Sequence, residues 1–330
     1  MPTNQQILLR RRPDGEPTAD CFELHDAPIP TPGPGEVLLR HEFLSLDPYM
    51  RGRMSAAKSY AAPVELGAVM EGQCVGRVEQ SNDPAFKPGD RAVGGYGWQQ
   101  WSAVPAARLH KLDPAISHSS LALGLLGMPG LTAYLGMTDI GQPKPGETVV
   151  VSAATGAVGS VAGQLAKLGA ARAIGIAGGP EKCRFATEQL GFDACLDHRQ
   201  DLAPQLDAAC PAGIDVYFEN VGGAVQRAVF PRLADFARMI MCGMVAEYNL
   251  TEPLPGPNLM AAVRKRLRIQ GLIVSDQWNR LAEWHARALP LLNEGKLRYR
   301  EDIVEGLPRA PEAFLGLLRG QNFGKLVVRI

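Results

Sequence analysis

A stretch of small residues near the middle of the chain has the spacing of a phosphate-binding turn. Residues 148–151 are a β-branched run, 154–159 read A-x-G-x-x-G, and apolar residues then recur at helical spacing over 161–168. This order predicts strand, tight turn and helix, the start of a dinucleotide-binding unit, although such turns also form for packing alone. A helix N-terminus would offer free N–H groups to a pyrophosphate. The predicted cradle consists of Gly156, Ala157, Val158 and Gly159.

The end of the next predicted strand selects the type of dinucleotide. NAD-specific units carry Asp or Glu at this point to hold the ribose 2′-hydroxyl. Here residues 176–179 read Ile-Ala-Gly-Gly, and the cations Lys182 and Arg184 follow. Because guanidinium and ammonium groups suit a 2′-phosphate, the pattern predicts NADP. The alternative for both cations is a solvated helix start.

Composition narrows the class of protein. The chain has 330 residues, enough for roughly two domains. Its 34 Lys and Arg balance 34 Asp and Glu, so no charge excess points to nucleic acid or to an anionic membrane. Apolar stretches are only strand-length, and the N-terminus lacks a signal-peptide core. The six cysteines are scattered without a C-x-x-C pair, which favours a reducing cytoplasm over a disulfide framework.

The elements that would position this site fall into two groups. Residues 1–125 predict short strands punctuated by Gly and Pro, typical of a small barrel, at 7–9, 22–24, 36–43, 75–78 and 91–93. A helical stretch at 121–135 and alternating strands and helices follow. The later strands, at 194–196, 214–218, 238–242 and 269–274, are apolar without alternation, as in a parallel sheet buried on both faces. A helix at 279–295 comes next. We expect the tail, with a helix at 311–319 and a strand at 325–330, to return to the first domain.

Five motifs occur in order across nearly the whole chain: DPYMRGR (47–53), GMPGLTAY (127–134), AATGAVGS (153–160), YFENVGG (217–223) and GQNFGK (320–325). Together they resemble the zinc-independent medium-chain dehydrogenase/reductases, in the branch of prostaglandin reductases and alkenal or curcumin double-bond reductases. The resemblance implies an α/β fold, with a doubly wound Rossmann sheet over 126–297 and a GroES-like β-barrel over 1–125 completed by 298–330. It also implies NADPH as cofactor and a homodimer.

The activity implied by this resemblance is reduction of the C=C bond of α,β-unsaturated ketones or aldehydes, by hydride transfer to the β-carbon. Two alternatives stay open: an NADPH quinone oxidoreductase, and a non-catalytic NADP-binding sensor or structural protein. Zinc members of the wider superfamily have an early barrel Cys and a Gly-His-Glu triplet. Residues 44–49 and 67–72 contain neither, so no metal site is predicted.

The resemblance also assigns roles to individual residues. Lys182 matches a lysine that binds the 2′-phosphate, whereas His198 replaces a tyrosine of the family. Tyr248 would adjoin the nicotinamide ribose and the substrate. Our hypothesis is that Tyr248 orients the ribose and stabilises or protonates the enolate, with the ribose 2′-hydroxyl as the alternative proton donor, and that Tyr49 shapes the pocket from the barrel side. The simpler alternative for both tyrosines is packing with a satisfied hydroxyl. The remaining cofactor contacts implied are Asn220, Cys242, Gly243, Leu272, Ile273, Val274 and Asn322.

Overall fold

Strands account for most of the framework that holds the site. The computed structural model describes residues 3–330, apart from the side chains at positions 95 and 96. Its strands are β1 (Thr3–Leu9), β2 (Phe22–Pro28), β3 (Glu36–Ser45), β4 (Gln73–Ser81), β5 (Arg91–Tyr96), β6 (Trp101–Pro105), β7 (His110–Lys111), β8 (Thr148–Ser152), β9 (Arg172–Ala177), β10 (Ala194–Asp197), β11 (Ile214–Glu219), β12 (Leu233–Met241), β13 (Arg268–Gly271), β14 (Glu301–Glu305) and β15 (Lys325–Arg329).

Helices connect the later strands. They are α1 (Met50–Arg53), α2 (Met128–Leu135), α3 (Gly159–Leu168), α4 (Pro180–Glu188), α5 (Leu202–Ala209), α6 (Gly223–Val229), α7 (Met260–Lys265), α8 (Leu281–Asn293) and α9 (Ala310–Leu318). No helix in this described part of the chain is long and apolar enough to cross a membrane.

Six parallel strands form the sheet that the A-x-G-x-x-G motif predicts. Their order is β10-β9-β8-β11-β12-β13, and every neighbouring pair is parallel. Counted along the chain from β8, this is the order 3-2-1-4-5-6 of a doubly wound dinucleotide-binding sheet. All five residues of β8 are buried. The predicted Rossmann architecture is therefore confirmed.

A second sheet combines both ends of the chain. Its order is β14-β15-β3-β4-β5-β7. The strand β6 lies off this path and pairs antiparallel with residues 36–40 of β3. The last strand, β15, runs antiparallel to β3. Lys325 at the start of β15 is buried and donates a 2.6 Å hydrogen bond to Asp47 just after β3. The tail thus returns to the N-terminal strands, as expected, while the residue boundaries of the two domains remain a prediction.

Two expected elements differ from those observed. The predicted helix at 121–135 is interrupted, because the chain folds tightly back on itself before α2. A Cβ atom at Gly127 would lie 2.1 Å from the Ala122 oxygen, and one at Gly130 would lie 1.8 Å from the Leu125 oxygen. The predicted strand at 269–274 ends at Gly271. Its four residues, Arg268–Gly271, are exposed because β13 is the edge of the sheet, so burial on both faces was wrong there.

Candidate active site

The turn after β8 is packed closely around its two glycines. A Cβ atom at Gly159 would lie 2.3 Å from the Ala153 carbonyl oxygen, and one at Gly156 would lie 3.2 Å from the same atom. Ala153 itself adopts φ = 50°, a left-handed conformation that alanine rarely takes. The close packing expected of Gly159 is therefore present.

The same turn presents backbone donors. The Gly156 N–H donates to the Ala153 oxygen at 2.9 Å and so is not available to a ligand. Among the described residues, none accepts a hydrogen bond from the N–H of Ala157 or Val158, which lie immediately before α3. Two unpaired donors at a helix N-terminus fit a pyrophosphate.

A cluster of basic side chains lies at the carboxyl ends of β9 and β10. A Cβ atom at Gly178 would lie 2.8 Å from His198 Nε2, and one at Gly179 would lie 2.8 Å from an Arg199 Nη atom. Burial, and then the charge of Arg199, lowers the pKa of Lys182 in the first turn of α4. Repulsion between like charges is relieved when an anion binds between them. The cluster therefore fits a 2′-phosphate.

Two details of this cluster were not apparent from the sequence. Arg199 and Arg184 are both exposed, but the Arg199 guanidinium lies against Gly179, whereas the side chain of Arg184 donates no hydrogen bond to a described residue. The Nζ atom of Lys182 donates to the Gly320 oxygen at 2.8 Å. The returning tail therefore closes over this end of the site, which only the fold could reveal.

The carboxyl end of β11 holds Asn220 in a fixed orientation. Its N–H donates to Ser152 Oγ, and its Nδ2 donates to the Ser152 oxygen, both at 2.8 Å. Next to it, the fully buried Glu219 accepts from the N–H groups of Val221 (2.7 Å) and Gly222 (3.0 Å). Within the described chain no donor pairs with Asn220 Oδ1, so this oxygen is free to accept a hydrogen bond from a ligand.

The loop after β12 carries the first predicted catalytic residue. The N–H groups of Cys242 and Gly243 donate to the backbone carbonyl oxygen of Glu219 at 3.0 and 3.1 Å, which ties this loop to β11. A Cβ atom at Gly243 would lie 3.0 Å from the Tyr248 hydroxyl, so the hydroxyl packs tightly against this glycine. Burial raises the pKa of Tyr248 above its ordinary value. The hydroxyl stays protonated at neutral pH and can act as a donor.

Cys242, the segment 272–274 and Asn322 contribute to the shape of the site more than to its reactivity. Burial raises the pKa of the Cys242 thiol to about 12, so it is protonated and inert at neutral pH. Leu272 is buried just beyond β13, while Ile273 and Val274 are half-buried. Asn322 Nδ2 donates to the Gly324 oxygen at 2.8 Å, which fixes the turn before β15.

The second predicted catalytic residue, Tyr49, belongs to the other sheet. It precedes α1, and the buried Arg53 guanidinium lies 5.6 Å from its ring centre and 4.5 Å from that of Tyr60. Burial, and then the carboxylate charges of Asp47 and Glu71, raises the pKa of Tyr49 well above its ordinary value. This tyrosine is also protonated at neutral pH.

One polar contact joins the two halves of the molecule beside these tyrosines. Arg51 Nε in α1 donates to Asn249 Oδ1 at 3.1 Å, and Arg51 Nη2 donates to the Gly15 oxygen at 2.6 Å. Sequence reasoning missed this bridge, although both residues lie in segments that it selected. The signal was indirect: a tyrosine lies close before each partner, Tyr49 before Arg51 and Tyr248 before Asn249.

The donor side chains needed for a metal centre are not assembled here. In residues 3–330, no group of three or more His, Cys, Asp or Glu side chains is arranged to hold an ion. His41, the histidine nearest the early barrel motif, is buried between the Gln99 oxygen (2.7 Å) and Ser102 Oγ (2.8 Å). It therefore belongs to the hydrogen bonding of the sheet.

Two family models match the chain. One is described as the N-terminal domain of oxidoreductase and covers residues 5–112, and the other is described as zinc-binding dehydrogenase and covers residues 157–294. The first match spans the N-terminal strands as far as β7, and the second spans β9 to β13 of the parallel sheet, in agreement with the architecture above.

Relatives of known activity align over nearly the full length. The chain is 51% identical to the NADPH-dependent curcumin reductase of Escherichia coli, covering 99% of this chain and 97% of that protein. It is 37% identical to the NADP-dependent 2-alkenal reductase of Nicotiana tabacum, covering 99% and 98%. The crystal structure of CurA from Vibrio vulnificus in complex with NADPH superimposes with a TM-score of 0.94 at 51% identity, covering 98% of each chain.

Proposed function

Because this chain belongs to the zinc-independent medium-chain dehydrogenase/reductases, in the branch of alkenal and prostaglandin reductases, we propose that it is an NADPH-dependent double-bond reductase. Its substrates are α,β-unsaturated ketones and aldehydes. The observation that carries the proposal is the pairing of two features in one site. No Asp or Glu occupies the end of β9, where a basic cluster stands, and a protonated tyrosine hydroxyl lies beside Gly243 at the end of β12.

The cofactor would be held along the carboxyl edge of the parallel sheet. Ala157 and Val158 offer N–H groups to the pyrophosphate, while Lys182, His198 and Arg199 surround the 2′-phosphate. When bound, NADPH supplies the hydride that goes to the β-carbon of the substrate. Asn220, Gly243, the segment 272–274 and Asn322 complete the cofactor contacts of this proposal.

The protein must then stabilise charge and provide a proton. Hydride addition places negative charge on the carbonyl oxygen, and a donor aimed at that oxygen lowers the barrier by about 3 kcal/mol. Tyr248 has a protonated hydroxyl to offer, and this hydroxyl lies close against Gly243. We assign Tyr248 to the ribose and to the developing enolate. Tyr49 shapes the pocket from the opposite side.

A substrate panel tests this function. The protein is incubated with NADPH and an alkenal, an enone, a quinone or an allylic alcohol, and both NADPH oxidation and products are measured. We expect saturated aldehyde and ketone from the first two and no turnover of the allylic alcohol. Consumption of quinones without enones would instead indicate a quinone oxidoreductase. Tight NADPH binding without oxidation by any acceptor would indicate a non-catalytic protein.

The proposal includes a cytoplasmic homodimer. Exposed apolar side chains along the β13 edge and α7 support a dimer: Ile269 is 40% exposed, Met260 57% and Val263 72%. The unpaired edge of β13 can pair with β13 of a second copy of the chain, as exposed strand edges do. The free cysteines favour a reducing compartment. Sedimentation at micromolar concentration and cell fractionation test the two parts, and a monomer or a secreted protein would refute them.

A further inference from the structure

The bridge between Arg51 and Asn249 joins the two predicted catalytic tyrosines through their neighbours. Tyr49 lies two residues before Arg51 on the barrel side, and Tyr248 lies directly before Asn249 on the Rossmann side. The Nε···Oδ1 distance is 3.1 Å. Loop 242–250 is otherwise tied to its own domain, through the hydrogen bonds to Glu219, Asn220 and Val221.

The N-terminal segment joins this bridge as a third partner. Arg51 Nη2 donates to the Gly15 oxygen at 2.6 Å. A Cβ atom at Gly15, which adopts φ = 74°, would lie 3.6 Å from the backbone carbonyl oxygen of Asn249. One guanidinium therefore holds a barrel helix, an N-terminal turn and the loop of Tyr248 together, in the planar forked geometry that arginine alone provides.

This arrangement is costly if its only purpose is stability. Arg51 is 7% exposed, and in residues 3–330 no carboxylate lies within ion-pair distance of it. Its two acceptors are neutral, and burial lowers the pKa of its guanidinium. Placing a cation in such surroundings loses hydration without the compensation of a counter-charge. Because this loss of hydration destabilises the folded state, we look for a role of Arg51 other than stabilising the fold.

We propose that Arg51 is a positioning residue for the reduction, which sets the separation of Tyr248 and Tyr49 by holding Asn249. The inference rests on the proposed function. Displacing reacting groups by about 1 Å can cost a hundred-fold in rate. Losing the bridge should therefore slow turnover more than it weakens cofactor binding, since Arg51 lies outside the predicted cofactor contacts.

The test compares Arg51→Met with wild type for kcat, NADPH affinity and thermal unfolding. Methionine keeps much of the volume and removes the buried charge. We expect kcat to fall by about ten- to a hundred-fold, the NADPH Kd to stay within about two-fold, and Tm to stay equal or rise. Asn249→Ala should match this loss, and the double variant should lose no more than the worse single variant, because both remove one interaction.

Arg172→Met is the matched control. Arg172 is half-buried, and its guanidinium, like that of Arg51, donates to a backbone carbonyl, that of Ala209, but it lies at the amino end of β9, away from the ligand edge. Its kcat should stay at the wild-type value. A wild-type kcat in Arg51→Met would overturn the proposal, and so would a kcat loss matched by a lowered Tm and restored at low temperature. Failure of the proposed function would appear in wild type itself, as absence of enone-dependent NADPH oxidation.

Discussion

Lys182 makes the clearest contribution of a single residue to cofactor choice. Its ammonium group is partly desolvated and lies near Arg199, so it is poised to gain from an added anion. A hydrogen bond to a charged group contributes about 1.5–3 kcal/mol, which corresponds to roughly ten- to a hundred-fold in affinity. Only NADPH carries the 2′-phosphate that would receive it.

We therefore expect Lys182→Ala to weaken NADPH binding by about ten- to a hundred-fold and to leave NADH binding unchanged. Fluorescence titration with both cofactors measures this. Arg184→Ala is the control, because this exposed side chain two residues further on should matter less. Equal weakening of NADPH and NADH would show that Lys182 supports the fold of α4 and not the phosphate.

The two tyrosines are expected to differ in kind. Tyr248→Phe removes the hydroxyl beside Gly243 and should lower kcat by roughly ten-fold to a few hundred-fold, the range of a positioned acid or oxyanion donor. Tyr49→Phe should mainly change KM. Steady-state kinetics on one enone separates these effects, with circular dichroism to verify the fold. An unchanged kcat in Tyr248→Phe, with hydride transfer shown to limit the rate, would leave the ribose hydroxyl or solvent as the acid.

At the scale of elements, His41 couples β3 to the strands around it and makes the mixed sheet sensitive to acid. Its ring is buried, and its pKa is lowered to about 4, chiefly by burial. The Gln99 carbonyl accepts from Nδ1–H, which leaves Nε2 to accept from the Ser102 hydroxyl. The folded state thus binds this proton more weakly than the unfolded chain, whose histidine has a pKa near 6.5.

The sign of the effect follows from this difference. Between about pH 6.5 and pH 4 the unfolded state binds more protons than the folded state, so the free energy of unfolding falls as the pH falls. At about 1.4 kcal/mol per pKa unit, His41 should account for about 3 kcal/mol lost over this range. Urea unfolding of wild type and His41→Leu at pH 7 and pH 4.5 measures it. The variant should be less stable at pH 7 and lose less on acidification, and equal losses in both proteins would contradict the account.

At the scale of the whole molecule, much of the architecture could be predicted because the signals were local. The A-x-G-x-x-G turn and the unbroken apolar strands indicate a parallel sheet without reference to distant residues. The strand β13 was predicted, but not its exposure, because its four exposed residues follow from its place at the edge of the sheet. The break before α2 likewise depends on glycines in contact with backbone oxygens.

The site shows the same division. Lys182 and the cradle residues were found from spacing, and the tyrosines from motifs of the resembled family. Arg199 above Gly179 and the Arg51–Asn249 bridge join residues that are distant along the chain, so no local pattern announces them. The roles of the predicted site residues stay predictions until the variants above are measured.

Tracing the transferred hydrogen tests the central claim most directly. An acyclic enone is reduced with NADPH deuterated at the transferred position of C4, in ordinary water, and the product is analysed by NMR and mass spectrometry. The account predicts a saturated ketone with one deuterium on the β-carbon, and a parallel reaction in D₂O with unlabelled NADPH should place deuterium on the α-carbon instead. An allylic alcohol product with deuterium on the carbon that bears the hydroxyl would contradict the account, since that product arises from reduction of the carbonyl group.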